Sequence, residues 1–185
     1  MPEPGGATGS GTTRFRIDPG RSGVWTESRS SVHPIRGQAV GLEGDIDVRL
    51  TDGRLDLSTP PSIHLELDVE RLRSGNSLYD NEMQRRIEAR RYPTIAGDVT
   101  EMKELDSAGR YRVTGDLQFH GVTRPEEGDV TLEVRGGRTM VIEGEHTFDV
   151  RAFDIEPPKL LMLKVSPEVK VQIRVVAQAE QAETR

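Results

Sequence analysis

Apolar and polar side chains alternate with a period of two through most of this chain, and that alternation demands β-sheet with one buried face. Ile63, Leu65, Leu67 and Val69 interleave with His64, Glu66, Asp68 and Glu70. The period returns from Tyr111 to Phe119, in Val130, Leu132 and Val134, from Met140 to Val150, and from Val169 to Val175. Shorter stretches around Phe15 and Ile17, Ile46 to Leu50 and Ile95 to Val99 repeat it, so roughly eight to ten strands are expected. Asp18-Pro19-Gly20, Thr51-Asp52-Gly53, Ser107-Ala108-Gly109 and Arg135-Gly136-Gly137 supply turn chemistry between them.

One segment departs from the pattern. Ser77 and Asp80 have capping-box spacing, Tyr79, Met83 and Ile87 recur at i, i+4 and i+8, and Pro93 forbids continuation. These features predict a single helix over residues 77–91. An open sheet of this size leaves two edges to protect, and closure removes both. The expected fold is therefore mainly β: an antiparallel barrel of about eight strands with one inserted helix. A two-sheet sandwich satisfies the same alternation. Gly37, Gly41, Gly44, Gly97, Gly115 and Gly144 fall inside strand patterns, where a sheet bends or something approaches the backbone closely. Residues 1–12 offer no apolar anchor and read as a flexible leader, residues 13–177 as the domain and residues 178–185 as a tail, with fraying expected from Ala177.

Composition narrows the function. With 25 Lys and Arg against 31 Asp and Glu, the net charge of −6 argues against a nucleic-acid binder. The absence of cysteine excludes thiolate nucleophiles and cysteine-based metal sites. His33, His64, His120 and His146 lie on separate segments without metal-ligand spacing, so neither a metal nor a cofactor is expected. His120 precedes Gly121 in a hairpin, where its ring is expected to pin the turn. The motifs of hydrolases, zinc proteases and nucleotide-binding enzymes are absent. No apolar run approaches the ~18 residues that a transmembrane helix needs, and the first residues lack the pattern of a secretory signal, so a cytoplasmic protein is expected.

If the apolar face of each strand points inward, the lumen holds Phe15, Ile63, Leu65, Leu67, Tyr111, Val113, Leu117, Phe119, Ile142 and Phe148. Only 4% of the chain is aromatic, and several inward positions are glycine, so the lumen is expected to be underfilled and suited to an elongated apolar guest. At about 0.8 kcal/mol per buried CH₂, each isoprenoid unit contributes up to ~3 to 4 kcal/mol before entropy costs. A solid core with glycines relieving curvature is the alternative. Arg29, Arg36, Arg124 and Arg151 are the candidates for holding a diphosphate or carboxylate head group at a barrel mouth. Pro157 to Leu163 is an apolar string that can act as a lid or a plug.

Several strings together resemble one protein family. Arg14 to Val24 (RFRIDPGRSGV) is similar to the family's first strand and turn, and Ile35-Arg36-Gly37 followed by Leu42-Glu43-Gly44-Asp45-Ile46 to its next segment. Arg91-Tyr92-Pro93-Thr94-Ile95 resembles its helix exit. Gly115 to Arg124 (GDLQFHGVTR) matches its Gly-x-Leu-x-x-His-Gly-Val-Thr-Arg hallmark, and Arg151 to Ile155 resembles a later element without its glycine. The family is that of the YceI-like polyisoprenoid-binding proteins, and the resemblance spans about residues 13 to 177. It implies an extended lipocalin-like barrel whose tunnel binds a polyisoprenoid or another long amphiphile, such as a fatty-acyl-like lipid, with no catalytic residues. Trp25 stands where the family usually has an aromatic and joins the expected lumen set. Glu27-Ser28-Arg29 departs from the Val-Arg-His that many members carry. Two further readings are an enzyme acting on a small amphiphile through a cavity Asp or His, and a ligand-free interaction module, homodimeric or otherwise.

Overall fold

A computed structural model of the chain describes residues 11–160 and 162–181. The strands are β1 (Thr12–Ile17), β2 (Gly23–Ser30), β3 (Ile35–Val40), β4 (Glu43–Thr51), β5 (Arg54–Asp56) and β6 (Ser62–Asp68). After the helix α1 (Ser77–Arg86) come β7 (Thr94–Glu104), β8 (Arg110–Phe119), β9 (Val122–Arg135), β10 (Thr139–Asp149), β11 (Lys159–Leu160) and β12 (Leu163–Ala179). Antiparallel pairing runs β1-β4-β6-β7-β8-β9-β10-β12, and β12 pairs back onto β1. The result is a closed eight-stranded barrel and not a sandwich.

The ring is closed differently along its length. The far end of β12 (Ala177, Gln178, Ala179) pairs with β1, while Val165 to Arg174 pair with β2. Ser22 occupies the corner where β12 changes partner. It is buried, its hydroxyl donates to the Val176 carbonyl at 3.2 Å, and the Val176 amide donates back to it at 2.9 Å. A side chain thus replaces ladder bonds that the Asp18-Pro19-Gly20 turn interrupts. β3 pairs with β2, and on its other side it meets only a bridge between Gln38 and Arg73. Ala177, expected to begin a frayed end, is fully buried, and β12 continues two residues beyond it. The leader, apart from its last two residues, and the last four residues of the tail lie outside the described residues.

The helix is shorter than its pattern predicts. Asn76, not Ser77, is the cap, its Oδ1 accepting from the amides of Leu78 at 3.0 Å and Tyr79 at 3.4 Å. Glu88 takes a left-handed φ of 51°, which ends the helix, and the Arg91 and Tyr92 amides then bond its carbonyl. Local backbone bonds close this end, the Glu88 amide to the Arg85 carbonyl and the Ala89 amide to the Gln84 carbonyl, and the Glu88 carboxylate lies 2.8 Å from the His120 Nε2.

Candidate functional site

The barrel interior divides into two ends. Phe15, Ile46, Val48, Met140 and Val175 are completely or almost completely buried in a solid core, with Ile63, Tyr111 and Ile142 packed among them and Val113 against them. Burial pushes the Tyr111 hydroxyl above its ordinary pKa. Five of the expected lumen residues, Phe15, Ile63, Tyr111, Val113 and Ile142, therefore fill this end and do not line the apolar cavity beyond it.

Toward the other end lies an apolar cavity of about 270 Å³. Leu65, Leu67, Leu117, Phe119 and Phe148 of the expected set line it, joined by Val24 and Thr26 from β2 and by Val171 and Ile173 from β12. Gly97 lies on its wall between Leu65 and Leu117, its neighbours in the ladder. A Cβ built there meets nothing within 4 Å. This glycine leaves open space and relieves no crowding. Tyr79 and Met83 from α1 and Ile87 at its C-cap complete the wall on the side where β3 lacks a full strand partner.

A second apolar cluster closes the floor. The rings of Phe119, Phe148 and Phe153 pack with centroids 5.7 to 6.4 Å apart, beside Val69, Ile87, Val150 and Ile155. His120 and Gly121 both have positive φ, the requirement of a tight two-residue hairpin between β8 and β9. The His120 Nδ1 donates to the Phe153 carbonyl at 2.9 Å, and Tyr92 stacks edge-on at 4.9 Å. One imidazole thus ties the hairpin, the helix exit and the Phe153 turn together.

Polar groups gather at the rim. Asp80 is buried, and its Oδ1 accepts from both the amide and the hydroxyl of Ser74 at 2.7 Å. Arg86 donates to Glu82 at 2.8 Å and to Glu156 at 2.9 Å. The hydrogen bond from Arg86 holds the Glu82 carboxylate below the usual range, and the same bond raises Arg86. Ser28 and Ser166 also border the opening. Of the four head-group candidates only Arg36 does, and its Nε is committed to Glu27 at 2.8 Å. Arg29, Arg124 and Arg151 are exposed away from the cavity, Arg151 paired with Asp149. The four do not gather at the mouth.

Trp25 is 41% exposed and lies on the outer face, opposite Gln38 and Gln172. Its placement in the lumen is corrected by the register of β2, where Val24, Thr26 and Ser28 point inward. Thr26 and Ser28 face the cavity beside Val24, and the ring faces water. The α1 residues of the wall were visible in the sequence as a helical stripe, but nothing in that stripe says which cavity it covers. Among the described residues, no group of three or more metal-ligating side chains gathers. Among the same residues, no helix is long and apolar enough to cross a membrane.

The model of the YceI-like domain family matches residues 15–177. The chain belongs to the YceI-like family. Among solved structures, this YceI-like barrel is similar to BcnA of Burkholderia cenocepacia, with a TM-score of 0.72 at 20% identity over 86% of this chain and 98% of that one. A polyisoprenoid-binding domain from Saccharophagus degradans follows, with a TM-score of 0.68 at 12% identity over 90% and 98% of the two chains. The YCEI protein of Campylobacter jejuni gives 0.65 at 14% identity over 82% and 88%. At these identities the likeness shows the YceI-like fold. A search of curated proteins finds no match.

Proposed function

We propose that this barrel is a non-catalytic carrier that takes up the apolar tail of an amphiphile, of polyisoprenoid or fatty-acyl type. The observation that carries the reading is the cavity of about 270 Å³, walled by aliphatic and aromatic side chains and kept open at Gly97. A carbon group needs about the ~30 Å³ of a liquid water molecule, so the enclosed part takes about nine such groups, close to two isoprene units. At about 0.8 kcal/mol each they give roughly 7 kcal/mol of gross stabilisation, part of which offsets the cost of association. A longer tail or the head group then continues through the mouth. A structural relative described as polyisoprenoid-binding supports this ligand class.

The catalytic reading requires a titratable group beside the cavity, and Asp80 is the one that fits. Its Oδ1 is occupied by two donors from Ser74, which suits a role in holding the helix start. The carrier reading is tested by native mass spectrometry of protein purified from its own host, paired with organic extraction. A lipid of defined mass bound one to one is expected. Protein that carries no lipid and fails to take up decanol or farnesol added in solution would sink the reading.

A further inference from the structure

Three of the most exposed large apolar side chains among the described residues are Val32, Leu78 and Met162, at 72%, 67% and 96%. They come from three different segments: the β2–β3 connection, the first turn of α1 and the tip of the β11–β12 hairpin. These segments are neighbours. The Ser31 amide donates to the Lys164 carbonyl at 3.0 Å, the Lys164 amide donates to the Ser31 hydroxyl, His33 and Tyr79 have ring centroids 6.3 Å apart, and α1 touches β11. All three segments border the cavity, since Ser28, Ile35, Tyr79, Pro158 and Val165 on or beside them line it. An apolar rim is continuous with an apolar hollow.

Charge says what the rim meets. Arg73, Lys159 and Lys164 lie on segments beside it, and none has an ion-pair partner among the described residues. Several acids of the same region are consumed internally, Glu27 by Arg36, Glu156 by Arg86 and Asp80 by Ser74, while the exposed Glu168 has no ion-pair partner among the described residues. A chain with a net charge of −6 thus carries a local cationic collar around exposed hydrophobes. At physiological salt a charge is screened beyond about 8 Å, so at contact the collar decides and the net charge does not.

We propose that the barrel docks mouth-down on an anionic lipid surface, inserting Val32, Leu78 and Met162 among the acyl chains while the collar meets the phosphate groups. This rests on the carrier reading only for its purpose, which is to pass a tail between bilayer and cavity without crossing water. Neither Val32, Leu78, Met162, Lys159 nor Lys164 lines the cavity, so docking and guest binding are separable.

The test floats the full chain with vesicles of phosphatidylcholine alone and of phosphatidylcholine mixed with phosphatidylglycerol, while uptake of decanol from solution is measured on the same samples. Binding to the anionic vesicles that weakens with added salt is expected. Combining Val32→Asp, Leu78→Asp and Met162→Asp, or reversing Lys159→Glu with Lys164→Glu, lowers that partitioning by about tenfold or more and leaves decanol uptake unchanged. Absence of binding to anionic vesicles, or variants that float like the parent, overturns the proposal. So does concentration-dependent self-association without lipid that the apolar triple variant abolishes, because the rim is then an interface between two copies. Loss of decanol uptake by the parent chain counts against the carrier reading and leaves the docking result standing.

Discussion

The two ends of this barrel are built from the same strands and differ in what meets at the axis. At the solid end β1 bonds both β4 and β12, the ring is complete, and Phe15, Tyr111, Met102 and Met140 reach across it. At the hollow end β2 and β3 take that position, β3 has one bridge in place of a ladder, and α1 supplies the missing wall. Inward positions there are Thr26, Ser28, Gly37 and Gly97 as well as Leu and Val. Alternation fixes which side chains point inward. Their volume, and the element that closes the ring, decide whether they touch.

Truncation should separate the ends most sharply. Phe15→Ala removes a ring from a fully packed site and should destabilise the protein by about 3 to 5 kcal/mol in urea unfolding. Leu65→Ala enlarges a hollow that already exists, borders fewer filled neighbours and should cost less than about 2 kcal/mol. Equal losses would mean that the cavity wall carries as much packing as the solid core, and the division would fall.

The corner between the two ends gives the next effect. Ser22→Ala leaves the Val176 amide without its acceptor in a buried position, at a cost of about 1 to 3 kcal/mol. Hydrogen exchange should show the Val176 amide deprotected before the middle of β12 opens. An unchanged midpoint would mean that water or the Asp18 turn replaces the hydroxyl.

Gly97→Val probes the hollow end from inside. The new side chain enters open space and removes about a third of the enclosed room, so affinity for a medium-chain alcohol or isoprenol should fall about tenfold or more. Stability should stay within about 1 kcal/mol of the parent, since valine suits a strand and meets no backbone. Retained affinity would place the guest elsewhere.

Much of this architecture was legible because it is periodic. The alternation gave the strand-rich barrel, the turn residues marked the hairpins, and the stripe of Tyr79, Met83 and Ile87 marked the helix. What stayed hidden is set by long-range contacts. The helix stops at Arg86, and the left-handed Glu88 that follows meets His120, 32 positions away, a contact that no local pattern records. Trp25, assigned to the lumen by family resemblance, faces outward because β2 turns Val24, Thr26 and Ser28 toward the cavity, a register that the resemblance does not record. The division of the lumen between Phe15, Ile63, Tyr111, Val113 and Ile142 on one side and Leu65, Leu67, Leu117, Phe119 and Phe148 on the other depends on packing depth along the axis. All ten obey the same period, and sequence alone has no coordinate for that depth.

The smallest effect lies on the outer face of β6, where His64 stands between Ile63 of the solid end and Leu65 of the hollow one. Its Nδ1 lies 2.7 Å from Asp98 and its Nε2 3.7 Å from Glu66. The hydrogen bond to Asp98 raises the imidazole pKa above its ordinary 6.5, against a smaller opposing effect of burial. Because the folded-state value is the higher one, the stabilisation is full below pH 6.5 and disappears as pH rises through the folded-state pKa. The ring is 43% exposed, so solvent screening limits the effect to a few tenths of a kcal/mol, about 0.2 to 1 at most. His64→Gln should flatten that part of the pH–stability profile in urea unfolding and leave guest affinity at every pH unchanged, because His64 points away from the cavity. A pH-dependent change in affinity that vanishes with His64→Gln would show that the outer ladder of β6 and β7 sets the width of the hollow end, and the two ends would then be mechanically coupled through these strands.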